Sequence, residues 1–421
     1  MTAVRIVAHH LRTGVVGLNV VTAAFEADPE VAARELAFSK SADETAALVA
    51  GAPESPGAAR PALVLWSSFS LDFARVRADL ERVRALTGAR ALHVAGGAHA
   101  TAEPEEVARA GFDLVAIGEG EATGVAIARD VLDGRDPRRP APGRAYLVGD
   151  RFVSHGPGER RPLDDFPAIN VRHGKWNPIE ITRGCVYACS FCQTPFAFKA
   201  RFRHRGVRSV RETVRQTWRE GGRYVRFLSP TALSYGAEGE TPNLDAVEEL
   251  LAGVREELGP GGKCFFGTFP SEVRPEHVTP RALAILERWA DNRTLAIGGQ
   301  SGSDRVLAAA RRGHDVAAVV RAAEACVARG FRPDVDLLFG LPGETLEDRK
   351  ETLALAERLV AMGARIHNHA FMPLPGTPLA AASPEPLEPE VTRAFKRLEG
   401  KGALYGQWRD QLVHAAALVR R

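Results

Sequence analysis

The chain predicts an α/β protein in two parts. A doubly wound parallel sheet comes first, an open barrel of six βα units second, and a short helical tail last. Three observations carry this. Short apolar runs alternate with amphipathic helical stretches along most of the 421 residues. The alternation breaks at the polar, proline-rich GRDPRRPAPGR near residue 135 and restarts near 176 with a steadier beat. Two apolar runs of the first part lead directly into glycine-rich turns, and in open parallel sheets ligands bind at that end.

In the first part, 4–9 and 62–66 read as strands. Phe73, Val76, Leu80 and Val83 stand at helical spacing within 72–87, and Gly88 ends that helix. The strand 91–95 runs into Gly96-Gly97. A short helix over 103–110 precedes a strand at 113–117, which runs into Gly118-Glu119-Gly120-Glu121. Residues 145–172 read as a connector with a hairpin. In the second part, a strand over 177–182 enters a cysteine-rich loop. Ser209 and Glu212 have capping-box spacing, and Val210, Val214 and Trp218 form one helical stripe. Gly221-Gly222 stops that helix before a strand at 224–228. Further strands at 264–268, 294–298, 334–339 and 365–371 alternate with helices, one of them opened by Thr279-Pro280. Six units are too few for a closed eight-stranded barrel. The divisions are therefore 1–140 for the sheet domain, 141–174 for a linker, 175–380 for the barrel and 381–421 for a helical extension.

Composition narrows the class. The 55 basic and 52 acidic residues leave a formal charge of +3, so no polyanion-binding surface is indicated and nucleic acid is not an expected partner. No stretch approaches the roughly 18 uninterrupted apolar residues of a spanning helix. The N-terminus lacks the apolar core of a signal peptide. Five cysteines, three of them clustered, do not suggest a disulfide framework, and a reducing cytoplasm is the expected location.

The cluster is in ITRGCVYACSFCQTP, where Cys185, Cys189 and Cys192 are spaced C-x3-C-x2-C. Three thiolates can bind three irons of a [4Fe–4S] cube and leave the fourth iron open. A zinc site would want a fourth ligand, for which His173 and His204 are the nearest candidates. This loop, at the end of the first strand of a six-unit βα region and with Phe191 before the last cysteine, resembles the radical S-adenosylmethionine (SAM) superfamily. The resemblance implies a partial TIM barrel whose open iron chelates the methionine end of SAM. One electron from the cluster then splits the sulfonium and yields a 5′-deoxyadenosyl radical.

Other segments fit the resemblance. FGLPGET, 339–345, is similar to a family segment whose backbone lines the adenine, which marks Gly340 and Pro342 as cofactor contacts. It also reads as a plain strand-to-helix turn capped by Thr345. GQSGS, 299–303, with RRGH at 311–314, resembles a barrel segment shared with methylthiotransferases and puts Gln300 and Ser301 toward SAM. FLSP, 227–230, stands where relatives carry a glycine-rich loop and marks Ser229. FPSEVR, 269–274, marks Ser271, Glu272 and Arg274 for SAM or substrate; it also reads as a solvated turn. The prolines and glycine of MPLPGTP, 372–378, fix a rigid turn at the barrel mouth. His367 and His369 face one way on the last strand; His369 reads as an acid or base, or as a satisfied core histidine. Cys264 and Cys326 read as buried small hydrophobes.

In the first part, AGGAHAT followed by IGEGEAT resembles the Rossmann-like cobalamin-binding domain that precedes the barrel in B12-dependent radical SAM proteins. The resemblance marks Gly96, Gly97, Gly118 and Gly120, with Ser67 and Ser68 near the nucleotide tail. The Asp-x-His-x-x-Gly loop that ligates cobalt in the best-known B12 domains is absent, and His9 and His10 lack its context. The resemblance implies three cofactors: a [4Fe–4S] cluster, SAM and cobalamin. It implies a methyltransferase acting on an unactivated carbon of a small-molecule or peptide substrate, served by a flavodoxin-, ferredoxin- or reductase-type electron donor. No individual catalytic residue is assigned. A cobalamin-dependent rearrangement or ring contraction stays open. A methylthiotransferase would need three cysteines in the front domain, and no cysteine precedes Cys185. An electron-transfer or sensing protein would not need the SAM segments.

Overall fold

The computed structural model describes residues 4–11, 13–52, 61–198 and 201–419. The chain divides into two compact units, Met1–Asn177 and Pro178–Arg421.

The first unit is a seven-stranded sheet of β1 (Arg5–His9), β2 (Leu36–Ser39), β3 (Ala62–Ser67), β4 (Ala91–Gly96), β5 (Leu114–Ala116), β6 (Arg144–Val148) and β7 (Arg151–Ser154), in the order β2-β1-β3-β4-β5-β6-β7. The pairs from β2 to β5 are parallel; β6 and β7 add an antiparallel hairpin at the edge. The alternation within β3 explains the double winding. Ala62, Val64 and Trp66 enter one core, and Leu63 and Leu65 enter a second core on the opposite face. The stretch expected as a linker thus carries the last two strands of this sheet. The short, half-buried β2 and the helices Val15–Ala27, Ala42–Ala50 and Gly120–Leu132 are additions to the sequence reading.

The second unit has β8 (Ile179–Glu180), β9 (Thr182–Arg183), β10 (Arg203–His204), β11 (Tyr224–Leu228), β12 (Lys263–Phe265), β13 (Thr294–Gln300), β14 (Arg332–Phe339), β15 (Arg365–Ala370) and β16 (Leu404–Tyr405). Parallel strands run β8-β11-β12 and β13-β14-β15-β16. The two arcs meet where the Ala296 N–H donates to the Gly267 carbonyl (2.8 Å) and the Val273 N–H to the Ala296 carbonyl (2.8 Å). This is the expected open, six-strand barrel, with one addition: β16, from the C-terminal extension, pairs with β15. The helix Val207–Arg219 begins two residues before the expected cap. Gly206 is its N-cap, so Ser209 lies inside the helix, where its Oγ accepts from Arg205. No described helix is long and apolar enough to cross a membrane.

Candidate active site

The cysteine loop leaves β9 through Gly184, whose φ is +81°. A Cβ there would stand 2.1 Å from the Arg201 carbonyl oxygen, so this position excludes a side chain. The turn sends Cys185, Cys189 and Cys192 to one wall of a cavity of about 350 Å³. All three are free thiols. Burial pushes the Cys185 thiol up to about 11, with its two neighbouring cysteines adding and the Tyr187 backbone and Arg274 opposing. Burial also raises Cys192. Burial thus favours the protonated form of Cys185 and Cys192, and the natural means of ionising them is a bound metal. Arg312 donates from Nη1 to Cys189 Sγ (3.2 Å) and from Nη2 to the Gly298 carbonyl (2.7 Å). Arg274 lies over the Tyr187 ring, its guanidinium carbon 3.6 Å from the ring centroid. Three sulfurs, two arginines and an open side fit a [4Fe–4S] cluster that keeps one iron free. Cys264 and Cys326 are fully buried away from the cavity; burial pushes each up to about 12.

The cavity lining also carries acid groups. Glu272 lines the cavity, and burial, then the Asp336 carboxylate, push its carboxyl well above the usual range. Burial would also raise Asp336, but the imidazoles of His367 and His369 outweigh it and hold Asp336 ionised. His367 Nδ1 is 2.8 Å from Asp336 Oδ1. Gln300 lines the cavity with φ +68°, at a break in register between β13 and β14. A non-glycine residue in that conformation stores strain, as functional sites often do.

Ser229, Glu272, Arg274 and Gln300 thus line one cavity with the three cysteines. Ser271, Ser301, Gly340 and Pro342 lie outside its lining. Ser271 donates to the Phe227 carbonyl (2.9 Å) and Ser301 shares a hydrogen bond with Thr352. The Gly340 N–H donates to Glu344. Arg312, from the RRGH segment, lines the cavity too, as do Asp336 and Gln411, which no sequence motif marks. A carboxylate inside the apolar run DVDLLF was the available signal for Asp336; Gln411 gave none.

In the first unit, Ser67 ends β3 beside Gly96, and the Ser68 N–H reaches the Gly96 carbonyl. A Cβ on Gly97 (φ +95°) would stand 2.7 Å from Ser67 Oγ. These four residues share one carboxyl edge of the sheet, with Gly118 at the end of the neighbouring strand. Gly120 opens a helix, and a Cβ there would meet Val21, so helix packing accounts for it. His9 is buried between Thr45 and Asp79, and His10 is bonded to Asn19.

Residues 179–356 match the model of the Radical SAM superfamily. Among curated proteins, the tRNA-2-methylthio-N(6)-dimethylallyladenosine synthase of Pelobacter propionicus is 29% identical over 269 residues, covering 60% of this chain and 58% of that protein. The enzyme of the same name from Methylococcus capsulatus is 30% identical over 265 residues, covering 58% and 54%. The chain thus spans little more than half the length of these relatives. Among solved structures, the radical SAM methyltransferase TsrM from Kitasatospora setae, with cobalamin and a [4Fe–4S] cluster bound, matches with a TM-score of 0.68 at 17% identity, covering 90% of this chain and 74% of that one. The cobalamin-dependent SAM radical enzyme OxsB, with aqua-cobalamin bound, matches with a TM-score of 0.65 at 17% identity, covering 84% and 52%.

Proposed function

We propose, for a chain that carries a radical SAM domain over residues 179–356, that it is a cobalamin-dependent radical SAM methyltransferase acting on an unactivated carbon of a small-molecule or peptide substrate. The carrying observation is the three-thiol loop on a cavity open to a further ligand, in a chain whose fold resembles TsrM and OxsB over 84–90% of its length. When bound, the cluster supplies the electron that splits SAM, and cobalamin supplies the methyl carrier. Cys185, Cys189 and Cys192 hold the cluster, and Arg312 and Arg274 offset the charge of the thiolates. On this reading Ser229, Glu272 and Gln300, which line the cavity, are the side chains that contact SAM. Ser67, Ser68, Gly96, Gly97 and Gly118 are the front-sheet positions for cobalamin. The glycines at this edge carry no side chain of their own, which favours close approach of a ligand to the backbone there. An external one-electron protein donor reduces the cluster.

Sequence identity favours a second reading, methylthio transfer. It requires a second cluster, and no cysteine precedes Cys185. Anaerobic reconstitution separates the two. The expected product holds four irons per chain and retains hydroxocobalamin through desalting in near-stoichiometric amount. Eight irons without cobalamin would replace the first reading with the second. Changing any of Cys185, Cys189 or Cys192 to alanine is expected to abolish 5′-deoxyadenosine formation and leave cobalamin binding intact; persistent cleavage would overturn the cluster assignment.

A further inference from the structure

The C-terminal extension lies outside the matched domain, yet it reaches the cavity. Tyr405 of β16 stacks on His367 at 4.6 Å with an interplanar angle of 9°. Gln411, on the helix Trp408–Val419, lines the cavity beside His369. Its amide orientation is fixed, because the Ala370 N–H donates to Gln411 Oε1 (2.8 Å). The other end, Nε2, therefore faces His369 Nδ1 at 3.2 Å as a donor. A neutral imidazole that accepts at Nδ1 carries its proton on Nε2.

That Nε2–H has two neighbours. His367 Nδ1 is 3.2 Å away and Asp336 Oδ1 is 3.7 Å away. The second is a long, weak approach, which helps hold Asp336 ionised and does not satisfy the N–H. The first contact fails on chemistry. His367 Nδ1 is nearer to Asp336 Oδ1, at 2.8 Å, and an ionised carboxylate only accepts, so that nitrogen carries a proton. One imidazole nitrogen cannot donate to Asp336 and accept from His369 in the same plane. The His369 N–H is left with only the long approach to Asp336 Oδ1, on a half-buried ring that lines the cavity, so a better-placed acceptor in the cavity would complete its hydrogen bonding.

We propose that His369 donates a hydrogen bond from Nε2 to a neutral carbonyl or hydroxyl oxygen of the substrate, and that Gln411 is the positioning residue that fixes its tautomer. A neutral oxygen is specified because the Asp336 carboxylate beside the donor repels an anionic one. The assignment of the ligand as substrate rests on the function proposed above; the tautomer does not.

The test is nitrogen NMR on the full chain labelled with [15N]histidine and left without a cluster, at a pH where imidazole is neutral. His369 is assigned by its loss in His369→Gln. The wild type is expected to show the Nε2–H form alone. Gln411→Glu, whose carboxylate accepts, should convert it to the Nδ1–H form, and Gln411→Leu should give a mixture. N-methylacetamide, as the neutral-oxygen probe, should move the wild-type Nε2 signal, and acetate at equal concentration should not. The response should vanish in Gln411→Glu. An Nδ1–H wild type, or a tautomer indifferent to both Gln411 variants, overturns the positioning role. A stronger response to acetate overturns the ligand class. A response to SAM and none to the amide gives the donor to the cofactor and overturns the substrate assignment. If Gln411→Leu fails to fold, Gln411→Glu, with its melting temperature recorded, still decides. Failure of the reconstituted wild type to form 5′-deoxyadenosine with dithionite would instead sink the radical SAM reading and leave the tautomer result standing.

Discussion

Glu344 sets a stability change that pH should reveal. Its side chain is fully enclosed in the turn after β14. Oε2 accepts the Gly340 N–H at 2.6 Å, with Arg349 Nη1 3.5 Å away, and Oε1 has no hydrogen bond. Burial pushes this carboxyl up to about 7, against the opposing pull of the Gly340 N–H and Arg349. In the unfolded chain it titrates near 4.5. The folded state therefore binds the proton more tightly, and stability is fully present below pH 4.5 and lost as pH rises through about 7. The interval corresponds to about 3 kcal/mol at roughly 1.4 kcal/mol per pH unit. Glu344→Gln stays neutral throughout and keeps an oxygen for the Gly340 N–H. Denaturant unfolding of cluster-free wild type and variant across pH 4 to 8 supplies the comparison, since other titrating groups are common to both. The wild type should lose about 3 kcal/mol relative to the variant over that range. Parallel stability curves would refute the reasoning, because they would mean Glu344 ionises freely where it sits.

Three more outcomes are expected. Gly184→Ala forces a Cβ against the Arg201 carbonyl at a left-handed φ; it should cost about 2 kcal/mol or more and lower the iron retained per chain, read by thermal melting and iron assay. Gln300→Gly relieves the strain at φ +68° and should raise stability by about 1 kcal/mol, while removing the amide from the cavity should slow 5′-deoxyadenosine formation. Asp130, fully buried, pairs with Arg135, Arg139 and Arg144 at 2.7 Å each. Burial raises its carboxyl, but the three arginines outweigh that and hold it below 3.8, so its stabilisation is present above that pH and fades as pH falls below it. Asp130→Asn should cost about 3–5 kcal/mol at neutral pH and flatten the acid limb of the stability curve, as measured by melting across pH.

The parts of the site that were legible in sequence are those whose chemistry is local. Cys185, Cys189 and Cys192 lie within eight residues, so spacing alone brings them together. The strands of both units were legible where they are fully buried, as in β3, because continuous apolar runs have few other readings. The short β2, LAFS, is only partly buried and lacks that signal. The hairpin β6–β7 was seen as a hairpin, but its membership of the sheet depends on the pairing of Val115 with Ala145, which no local pattern encodes. Gln411 shows the limit most sharply. It is 42 residues from its partner His369 and sits in an ordinary amphipathic helix. Only the return of the chain through β16 brings it to the cavity.

The disagreement between the two comparisons turns on thiolates. Methylthio transfer by two clusters needs three further cysteine ligands, and this chain has five cysteines in all. Cys264 and Cys326 are fully enclosed among core side chains, with burial pushing both thiols up to about 12. Neither can reach a second cluster without opening the barrel, and the first unit contributes none. One cluster is then all this chain can ligate by itself. A single cluster that uses its open iron for SAM has no iron left to carry a sulfur or a methyl group. On the proposed function, a group transferred to a substrate radical is delivered from elsewhere, and the candidate position in the first unit is the carboxyl edge at Ser67, Gly96 and Gly97. The count of cysteines therefore favours the cobalamin reading of the front sheet over the reading suggested by sequence identity.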